Sequence, residues 1–227
     1  MTKSVVPPSR GLSVSVKTAK SRSSASTRWL ARQLNDPYVA AARKQGWRSR
    51  AAFKLLELDD KFHLIRPGAR VLDLGAAPGG WTQVAVKRGA ASVLAVDLLP
   101  IDPIEGSVII QGDFMHPAMP ERLAAELGGA ADVVLSDMAP NTTGHAGTDH
   151  LRIIGLAELA LEFALEILAP GGAFIAKVFQ GGTEKDMLKP LKKHFTFVRH
   201  AKPPASRKES SEQYVIATGF KGIQDAE

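Results

Sequence analysis

The chain has 227 residues, 44% of them hydrophobic, which is enough for one α/β domain with a full core and an appendage. It contains no cysteine, which excludes disulfides and thiolate metal sites and suits a reducing compartment, so we expect a cytoplasmic protein. We expect neither secretion nor a membrane span, because the N-terminus lacks the apolar core of a signal peptide and the most apolar long segment, 151–168, is interrupted by Arg152 and three glutamates.

The positive charge is concentrated in the first part of the chain. The whole chain carries +6, but residues 1–50 contain eleven Lys or Arg and one Asp, a net charge of +10, which leaves −4 for the remainder. This asymmetry predicts a basic arm on a mildly acidic body, with a polyanion as partner. Residues 1–26 have few large apolar side chains and are predicted to form a flexible basic tail; a solvated disordered tail without a partner is the alternative.

Two short basic helices are predicted after this tail. Apolar residues recur at helical spacing from Thr27 onward, and Asn35, Asp36 and Pro37 interrupt the pattern. These three residues are typical of a helix end followed by an N-cap and a proline in the first turn of the next helix.

A stronger helix is predicted over residues 48–58. Its pattern places Phe53, Leu56 and Ala52 toward the core. Lys54 lies among these apolar residues, and two interpretations are open. A solvated helix lysine is the commoner case, whereas a functional lysine would point along the sheet edge toward a ligand.

A glycine-rich turn follows the first predicted strand, residues 71–74. Gly75, Gly79 and Gly80 form a tight turn before a helix that begins near Trp81. Glycines let a ligand approach the main-chain N–H groups, and a helix start adds partial positive charge. The pattern therefore predicts a cofactor-binding loop.

The next strand makes a nucleoside-bearing cofactor the best interpretation of this loop. Residues 93–96 are apolar and end in Asp97, 22 positions after Gly75. An acid about 20 residues after such a loop receives a ribose hydroxyl in dinucleotide-binding folds. The glycine spacing differs from G-x-G-x-x-G, and these residues alone do not choose between hydride and methyl transfer.

Strands and helices then alternate, which predicts a doubly wound sheet with ligands at the carboxyl ends of the strands. The further strands are predicted at 107–111, 132–136 and 173–178, with a terminal pair at 195–199 and 213–218. The helices are predicted at 81–87, 120–127, 151–168 and 185–194.

Polar residues cluster at those carboxyl ends: Asp97, Asp113, Asp137 and Lys177. A charged lysine inside an apolar strand is unfavourable unless it is paired, and Asp137 on the neighbouring strand could face Lys177. A lysine at the sheet edge with its ammonium in solvent is the alternative. Asp113 is interpreted either as a ligand-binding acid or as the start of an Asx turn.

Seven motifs together resemble the FtsJ (RrmJ, RlmE) family of S-adenosylmethionine-dependent ribosomal RNA ribose 2′-O-methyltransferases. The resemblance covers residues 28–219. The motifs, in chain order, are SRAAFKL, VLDLGAAPGGW, AVDLLP, QGDF, SDMAPN, KVFQG and SRKESSEQY.

The resemblance implies a Rossmann-like methyltransferase fold: an α/β architecture with a mostly parallel seven-stranded sheet, helices on both faces and one antiparallel strand in the last hairpin. Residues 27–227 would form this domain. The resemblance also implies a catalytic tetrad, in which the spacing to Tyr214 favours Glu212 over Glu209 as the last carboxylate. The tetrad is Lys54, Asp137, Lys177 and Glu212.

The implied cofactor is S-adenosyl-L-methionine. The resemblance places Gly79 and Trp81 beside the methionine end, Asp97 at the ribose, Asp113 at the adenine and Asp137 near the reactive end. The complete set of expected cofactor-binding residues is Asp73, Gly75, Gly79, Gly80, Trp81, Asp97, Asp113 and Asp137.

The chemistry of methyl transfer explains these residue types. A ribose hydroxyl must be oriented and must lose its proton. Our hypothesis is that Lys177 takes the proton, Asp137 positions it, and Lys54 with Glu212 orients the hydroxyl. No metal is required, and His145 and His150 have no third ligand close in sequence.

The implied substrate is a uridine in large-subunit (23S) ribosomal RNA, within the subunit or its precursor, methylated by a monomeric enzyme during ribosome maturation. The RNA is expected to reach the site across the basic first 50 residues and a flexible segment, residues 202–211, with the basic helical extension, residues 27–66, contributing to RNA binding. Transfer RNA is the alternative substrate. An RNA-binding assembly factor without catalysis and a nicotinamide oxidoreductase are alternative functions.

Overall fold

The computed structural model describes residues 14–18, 23–139, 145–180 and 184–222. The helices are α1 (Ser24–Leu34), α2 (Pro37–Gln45), α3 (Ala51–Phe62), α4 (Gly80–Lys87), α5 (Met119–Leu127), α6 (Ala146–Ile167) and α7 (Glu184–His194). The strands are β1 (Arg70–Leu74), β2 (Ser92–Asp97), β3 (Val108–Gln111), β4 (Ala131–Ser136), β5 (Leu168–Phe179), β6 (Phe195–Ala201) and β7 (Glu212–Phe220).

The seven strands form one sheet in the order β3-β2-β1-β4-β5-β7-β6. The pairs from β3 to β5 are parallel, and β7 is antiparallel to both of its neighbours. The predicted α/β fold with a mostly parallel seven-stranded sheet is therefore confirmed. The strand order reverses beside β1, so the carboxyl ends of β1 and β4 flank the crevice in which such sheets bind ligands.

Helices cover both faces of the sheet, and the alternation of strand residues follows from this. Val71 packs in the core under α2, α3 and α4, whereas Leu72 packs in the core under α5, α6 and α7. Because both faces are buried, β1 is an apolar run rather than an alternating one. Asp73 is the exception, since it is fully buried in that run.

The two N-terminal helices have the predicted break. Asp36 caps α2 by accepting a hydrogen bond from the Tyr38 N–H at 3.0 Å, and Pro37 occupies the first turn. The first helix begins at Ser24, inside the segment predicted to be a flexible tail. Val14 is held by two hydrogen bonds to the side chain of Asn35. The rest of the tail prediction concerns residues 1–13 and 19–22, which lie outside the described residues.

The inward face of α3 differs in part from the prediction. Ala52 and Phe53 are buried as expected, but Leu56 is only half-buried, and Leu55 and Leu58 lie in the core instead. The helix lies between α2 and α4 as well as on the sheet. More than one of its sides is therefore covered, and a single apolar stripe could not identify all of its buried positions.

The prediction that residues 202–211 are flexible is wrong. Ala205 is fully buried, and its N–H donates to Glu57 of α3 at 2.6 Å. Within the segment, the Lys202 ammonium donates to the carbonyl oxygens of Lys208 and Ser210. Its polar composition suggested a solvated loop, but these contacts fasten it to the helices over the sheet.

The long apolar helix α6 lies against β4 and β5, as its pattern predicts. Glu162 and Glu166 are exposed on its outer side. No helix among the described residues has the length and apolar composition needed to cross a membrane.

Candidate active site

The sheet brings together four charged residues that are far apart in the sequence. Asp137 follows β4, Lys177 lies near the end of β5, and Glu212 begins β7. The register places Lys177 opposite Tyr214 and Phe179 opposite Glu212 across the β5–β7 pair. Lys54 reaches the same point from α3. The four residues predicted as the tetrad therefore meet at one edge of the sheet.

The four side chains form a compact cluster of alternating charge. Lys54 Nζ lies 2.7 Å from Glu212 Oε2, and Lys177 Nζ lies 2.7 Å from Asp137 Oδ1. The cross distances are longer: 4.0 Å from Lys54 Nζ to Asp137 Oδ1 and 3.9 Å from Lys177 Nζ to Glu212 Oε2. Each ammonium therefore has one close carboxylate and one more distant carboxylate, which balances two positive against two negative charges.

Burial decides between the two interpretations of Lys54. Only 6% of the residue is exposed, and Lys177 is 8% exposed. The commoner interpretation of Lys54, a solvated helix lysine, is wrong, because α3 points this side chain into the cluster. Lys177 also donates to the main-chain oxygen of Asp137 at 2.8 Å, so the alternative of a lysine with its ammonium in solvent is excluded.

Tyr214 is a member of this cluster that sequence reasoning missed. Its hydroxyl donates to Asp137 Oδ1 at 2.6 Å and accepts from Lys54 Nζ at 3.2 Å. The phenol thus bridges the two ion pairs from a fully buried position. A signal was present in the sequence, because Tyr214 follows Glu212 by two positions on one strand, and such residues share a face.

The charge state of Asp137 follows from its neighbours. Burial alone would raise the pKa of this carboxyl, but the ammonium groups of Lys177 and Lys54 outweigh burial and hold the pKa below its ordinary value. For the Tyr214 phenol, burial and the adjacent carboxylates of Asp137 and Glu212 both raise the pKa well above its ordinary value. Asp137 is therefore ionised, and Tyr214 keeps the proton that it donates.

The second oxygen of Glu212 also has a partner. Ser206 Oγ donates to Glu212 Oε1 at 2.7 Å, while Oε2 faces Lys54. Ser206 is itself 5% exposed and belongs to the anchored segment 202–211. This segment therefore fixes the orientation of a tetrad carboxylate.

The glycine-rich loop after β1 is packed so closely that side chains would not fit. A Cβ on Gly75 would lie 2.3 Å from the Met138 side chain, and one on Gly80 would lie 2.6 Å from Ser49 Oγ. Gly75 and Gly79 also have positive φ, at 70° and 102°. Gly79 is the N-cap residue of α4, so the loop ends at a helix N-terminus, as predicted.

Asp73 presents a buried oxygen without a protein partner. Its Oδ2 accepts from Thr82 Oγ1 at 2.7 Å, whereas its Oδ1 has no hydrogen-bond partner. The residue lines a cavity together with Gly75, Gly80 and Asp137. Burial raises the pKa of Asp73 from 3.8 to about 7. A free acceptor in this cavity fits a ligand that brings its own N–H or O–H group.

Asp97 organises the loops at the end of β2. One carboxylate oxygen accepts from the Ala77 N–H of the glycine-rich loop at 2.8 Å, and the other accepts from the Leu99 N–H, also at 2.8 Å. A carboxylate can accept further hydrogen bonds, so this geometry leaves room for a ribose hydroxyl. Its predicted role at the ribose stays a prediction.

Asp113 starts an Asx turn: its Oδ1 accepts from the Met115 N–H at 2.9 Å. The structure therefore shows the alternative interpretation of this residue, and its predicted role at the adenine stays a prediction.

Trp81 is buried in the same cavity wall as Asp73. Its ring lies 5.5 Å from the Tyr214 ring, so Trp81 connects the glycine-rich loop to the charged cluster.

Residues 47–220 match the model of a family described as FtsJ-like methyltransferase. The chain belongs to this family. It is 70% identical to the Ribosomal RNA large subunit methyltransferase E of Granulibacter bethesdensis over 95% of both chains. It is also 70% identical to the protein of the same name from Gluconobacter oxydans, over 93% of this chain and 79% of the other.

Among solved structures, a ribosomal RNA methyltransferase described as putative from Plasmodium falciparum is similar to this chain, with a TM-score of 0.69 and 30% identity. The match covers 78% of this chain and 100% of the other. A putative hemolysin from Streptococcus thermophilus, with a TM-score of 0.54 and 18% identity, shares the fold alone. The chain is thus a methyltransferase with the predicted family fold.

Several cations that were predicted to bind RNA have partners inside this FtsJ-like methyltransferase. Arg50 pairs with Asp36 at 2.9 Å, and Arg207 lies 3.3 Å from the same carboxylate. The Lys202 ammonium donates to the carbonyl oxygen of Lys208 in its own segment. The Arg48 guanidinium donates to the carbonyl oxygen of Asp102, in the loop after β2. Other cations of the two predicted RNA-binding segments are exposed, among them Arg32, Arg43, Lys44, Lys61, Arg66 and Lys208.

No group of three or more His, Asp or Glu residues that could hold a metal ion occurs in the part of the chain that the structure describes. His145 and His150 both lie at the start of α6.

Proposed function

We propose that this enzyme transfers a methyl group from S-adenosyl-L-methionine to the ribose 2′-hydroxyl of a uridine in large-subunit (23S) ribosomal RNA. Two observations support the substrate class. The similar bacterial proteins carry a name that specifies the large-subunit ribosomal RNA, and the first 50 residues of this chain have a net charge of +10. The enzyme would act as a cytoplasmic monomer on the large subunit or its precursor.

The observation that carries the proposal is the buried cluster of Lys54, Asp137, Lys177 and Glu212 beside the glycine-rich loop. A hydroxyl is a poor nucleophile, and its attack needs a group that takes its proton and groups that orient it. The cluster supplies both kinds of group at the carboxyl end of the sheet, where the fold binds ligands.

The residues of the cavity fit S-adenosyl-L-methionine. Asp73 Oδ1 is a buried acceptor without a protein partner and suits the ammonium of the methionine part. Gly75 and Gly80 line the same cavity as Asp73, and Asp97 retains capacity for a ribose hydroxyl. When bound, this cofactor supplies an electrophilic methyl group. Asp113 is proposed to stand at the adenine and Trp81 beside the methionine part.

Lys177 is proposed as the residue that takes the proton of the attacking hydroxyl. In this step Lys177 acts as a neutral amine that has already lost its ammonium proton. The O–H bond breaks and an N–H bond forms at Lys177 Nζ, while the oxygen gains the methyl group as the bond from that methyl to the donor sulfur breaks, which leaves the donor as a neutral thioether. Asp137 stays ionised because its pKa is lowered, so its carboxylate, 2.7 Å away, stabilises the positive charge that forms on Lys177. The main-chain oxygen of Asp137 holds the same ammonium at 2.8 Å.

Lys54 and Glu212 are proposed to orient the hydroxyl. Their ion pair is fixed from two sides, by Tyr214 on the ammonium and by Ser206 on the carboxylate. Rigid placement of this pair reduces the entropy that is lost when the hydroxyl is brought into line for attack.

The RNA is proposed to bind along the basic helical extension, residues 27–66, and the segment 202–211. Arg32, Arg43, Lys44 and Lys208 are exposed there. Arg50 and Arg207 contribute differently from the prediction, because both contact Asp36, and the Arg207 contact connects the extension to the segment.

The test is methyl transfer from radiolabelled S-adenosylmethionine to large ribosomal subunits from cells that lack the protein, followed by mapping of 2′-O-methyl groups. We expect one uridine of the large-subunit RNA to be labelled by the wild-type enzyme. Lys177→Ala should abolish the labelling while binding the cofactor normally. Lys193→Ala, a change at an exposed lysine of α7, is the matched control and should retain full activity.

Two of the alternatives give distinct results when ribosome assembly is measured beside methyl transfer. Labelling of transfer RNA but not of ribosomal subunits would show the alternative substrate. Normal ribosome assembly with either variant and no methyl transfer by the wild type would indicate an assembly factor. Most of the activity remaining in Lys177→Ala would contradict the role given to Lys177.

A further inference from the structure

We propose that Arg48 is a positioning residue for the cofactor-binding loop, although it lies in the basic segment that was predicted to bind RNA. The inference rests on the proposed use of S-adenosylmethionine. It assigns Arg48 to the binding of S-adenosylmethionine and not to the binding of RNA.

The guanidinium of Arg48 is engaged by three main-chain carbonyl oxygens. Nη1 donates to Asp102 at 2.6 Å and to Pro78 at 3.2 Å, and Nη2 donates to Pro103 at 2.7 Å. Pro78 belongs to the glycine-rich loop, whereas Asp102 and Pro103 belong to the loop between β2 and β3. One side chain therefore joins the two loops that flank the proposed nucleoside site.

The packing around Gly79 depends on the same side chain. A Cβ on Gly79 would lie 3.2 Å from Arg48 Nη1 and 2.5 Å from Ile104 Cδ1. Gly79 is the N-cap residue of α4, so this turn leads into the helix end that carries unpaired N–H groups. Arg48 thus sets how closely the 102–104 segment can approach the turn from which α4 begins.

Gln83 holds the main chain at Arg48 and two residues before it. Its Oε1 accepts from the Arg48 N–H at 2.8 Å, and its Nε2 donates to the Gly46 carbonyl at 3.1 Å. Because Gln83 lies on α4, the linker between α2 and α3 is fastened to the helix that follows the glycine-rich loop. The guanidinium therefore projects from a fixed base.

The planar fork of a guanidinium explains why arginine occupies this position. It presents donors in fixed directions and can reach carbonyl groups on two loops at once, whereas a lysine offers a single point charge on a flexible stem. Its three acceptors are neutral carbonyls, so Arg48→Lys preserves the net charge of the basic segment and removes the fork. This substitution separates positioning from electrostatic attraction.

The experiment compares Arg48→Lys with Arg43→Lys, a charge-conserving change at an exposed arginine of α2. Calorimetry gives the Kd for S-adenosylmethionine, filter binding gives the Kd for ribosomal RNA, and steady-state assays give kcat and the KM for each substrate. We expect Arg48→Lys to raise the Kd and the KM for S-adenosylmethionine about tenfold. At saturating S-adenosylmethionine, kcat should equal that of the wild type. The Kd for ribosomal RNA should stay within about twofold of the wild-type value. Arg43→Lys should leave the donor Kd unchanged.

A second variant keeps the inference testable if Arg48→Lys folds poorly. Gln83→Ala loosens the base of the fork without touching the guanidinium and should raise the donor Kd in the same direction by a smaller factor. Weaker RNA binding with an unchanged donor Kd in Arg48→Lys would overturn the inference. So would a lower Tm of the variant with an unchanged donor Kd. Failure of the wild-type protein to bind S-adenosylmethionine would instead overturn the proposed function.

Discussion

The hydroxyl of Tyr214 lies 2.6 Å from Oδ1 of Asp137 and 3.2 Å from Nζ of Lys54, so one phenol connects both ion pairs of the active site. A mutation that removes only this oxygen tests the connection. In Tyr214→Phe the ring should keep its packing on Trp81, while Asp137 and Lys54 each lose one hydrogen bond. We expect kcat to fall about tenfold, which corresponds to about 1.4 kcal/mol in the barrier.

Tyr38→Phe is the control for this prediction. Tyr38 also donates to a carboxylate, that of Glu57 at 3.1 Å, but it lies outside the cluster. Its kcat at saturating RNA should equal that of the wild type. An equal loss of kcat in both variants would contradict the bridging role of Tyr214.

Replacement of Glu212 by Gln removes the close charge partner of Lys54. The buried ammonium then has neutral acceptors, and the more distant Asp137 is the one carboxylate of the cluster left to balance its charge. We expect kcat to fall about a hundredfold and stability by about 3 kcal/mol, measured by steady-state kinetics and urea unfolding. Glu209→Gln changes an exposed carboxylate three positions earlier and should alter neither quantity. A loss of activity in Glu209→Gln alone would show that the wrong glutamate was assigned to the tetrad.

The raised pKa of Asp73 predicts how stability changes with pH. Its pKa moves from 3.8 to about 7 in the folded protein, so between these pH values the folded state binds the proton more tightly than the unfolded state does. The stability of the free protein relative to Asp73→Asn should therefore fall as the pH rises from about 4 to about 7, by on the order of 4 kcal/mol. Urea unfolding of both proteins across this range measures the difference.

The same variant tests the cofactor assignment of Asp73. Asp73→Asn replaces a free acceptor by an amide that can present N–H groups, so the Kd for S-adenosylmethionine should rise. A parallel pH dependence of stability in the two proteins would contradict the pKa shift. An unchanged donor Kd would contradict the assignment to the methionine part.

Binding of RNA should weaken steeply with salt, because exposed cations contact phosphates. The double variant Arg43→Ala/Lys44→Ala should reduce the slope of log K against log salt by about 0.7 to 0.9 for each lost contact. Lys192→Ala/Lys193→Ala, at the end of α7, should leave the slope unchanged. Binding that does not vary between low and moderate salt would contradict the proposed RNA surface.

The alternation of strands and helices was predictable from local sequence. Each apolar run had a length typical of either a strand or a helix and was flanked by residues that typically end such an element. The positions of Asp97, Asp137 and Lys177 at the carboxyl ends followed from that alternation. The environment of Lys54 did not follow, since its partner Glu212 is 158 positions away and the helix pattern describes only local periodicity. The resemblance to the FtsJ family named this lysine, and the packing of α3 explains its burial.

The contacts of the basic residues show a second limit of prediction from sequence. Counting charges predicted an RNA-binding segment, but a count does not separate solvated cations from those that the fold uses. Arg48 and Arg50 donate to groups within the protein, whereas Arg43 and Lys44 remain exposed. Likewise, Ala205 occurs in a polar segment and is nevertheless fully buried.

The antiparallel strand β7 has a consequence for how the enzyme is made. It carries Glu212 and Tyr214 and follows every other described strand in the sequence, yet it lies between β5 and β6 and is not an edge strand. A nascent chain that ends before β7 could form the glycine-rich loop. Lys54 would then lack Glu212 and Tyr214, and Lys177 would lack Glu212. With the roles proposed for Glu212 and Tyr214, the chain would become competent for catalysis only when β7 enters the sheet.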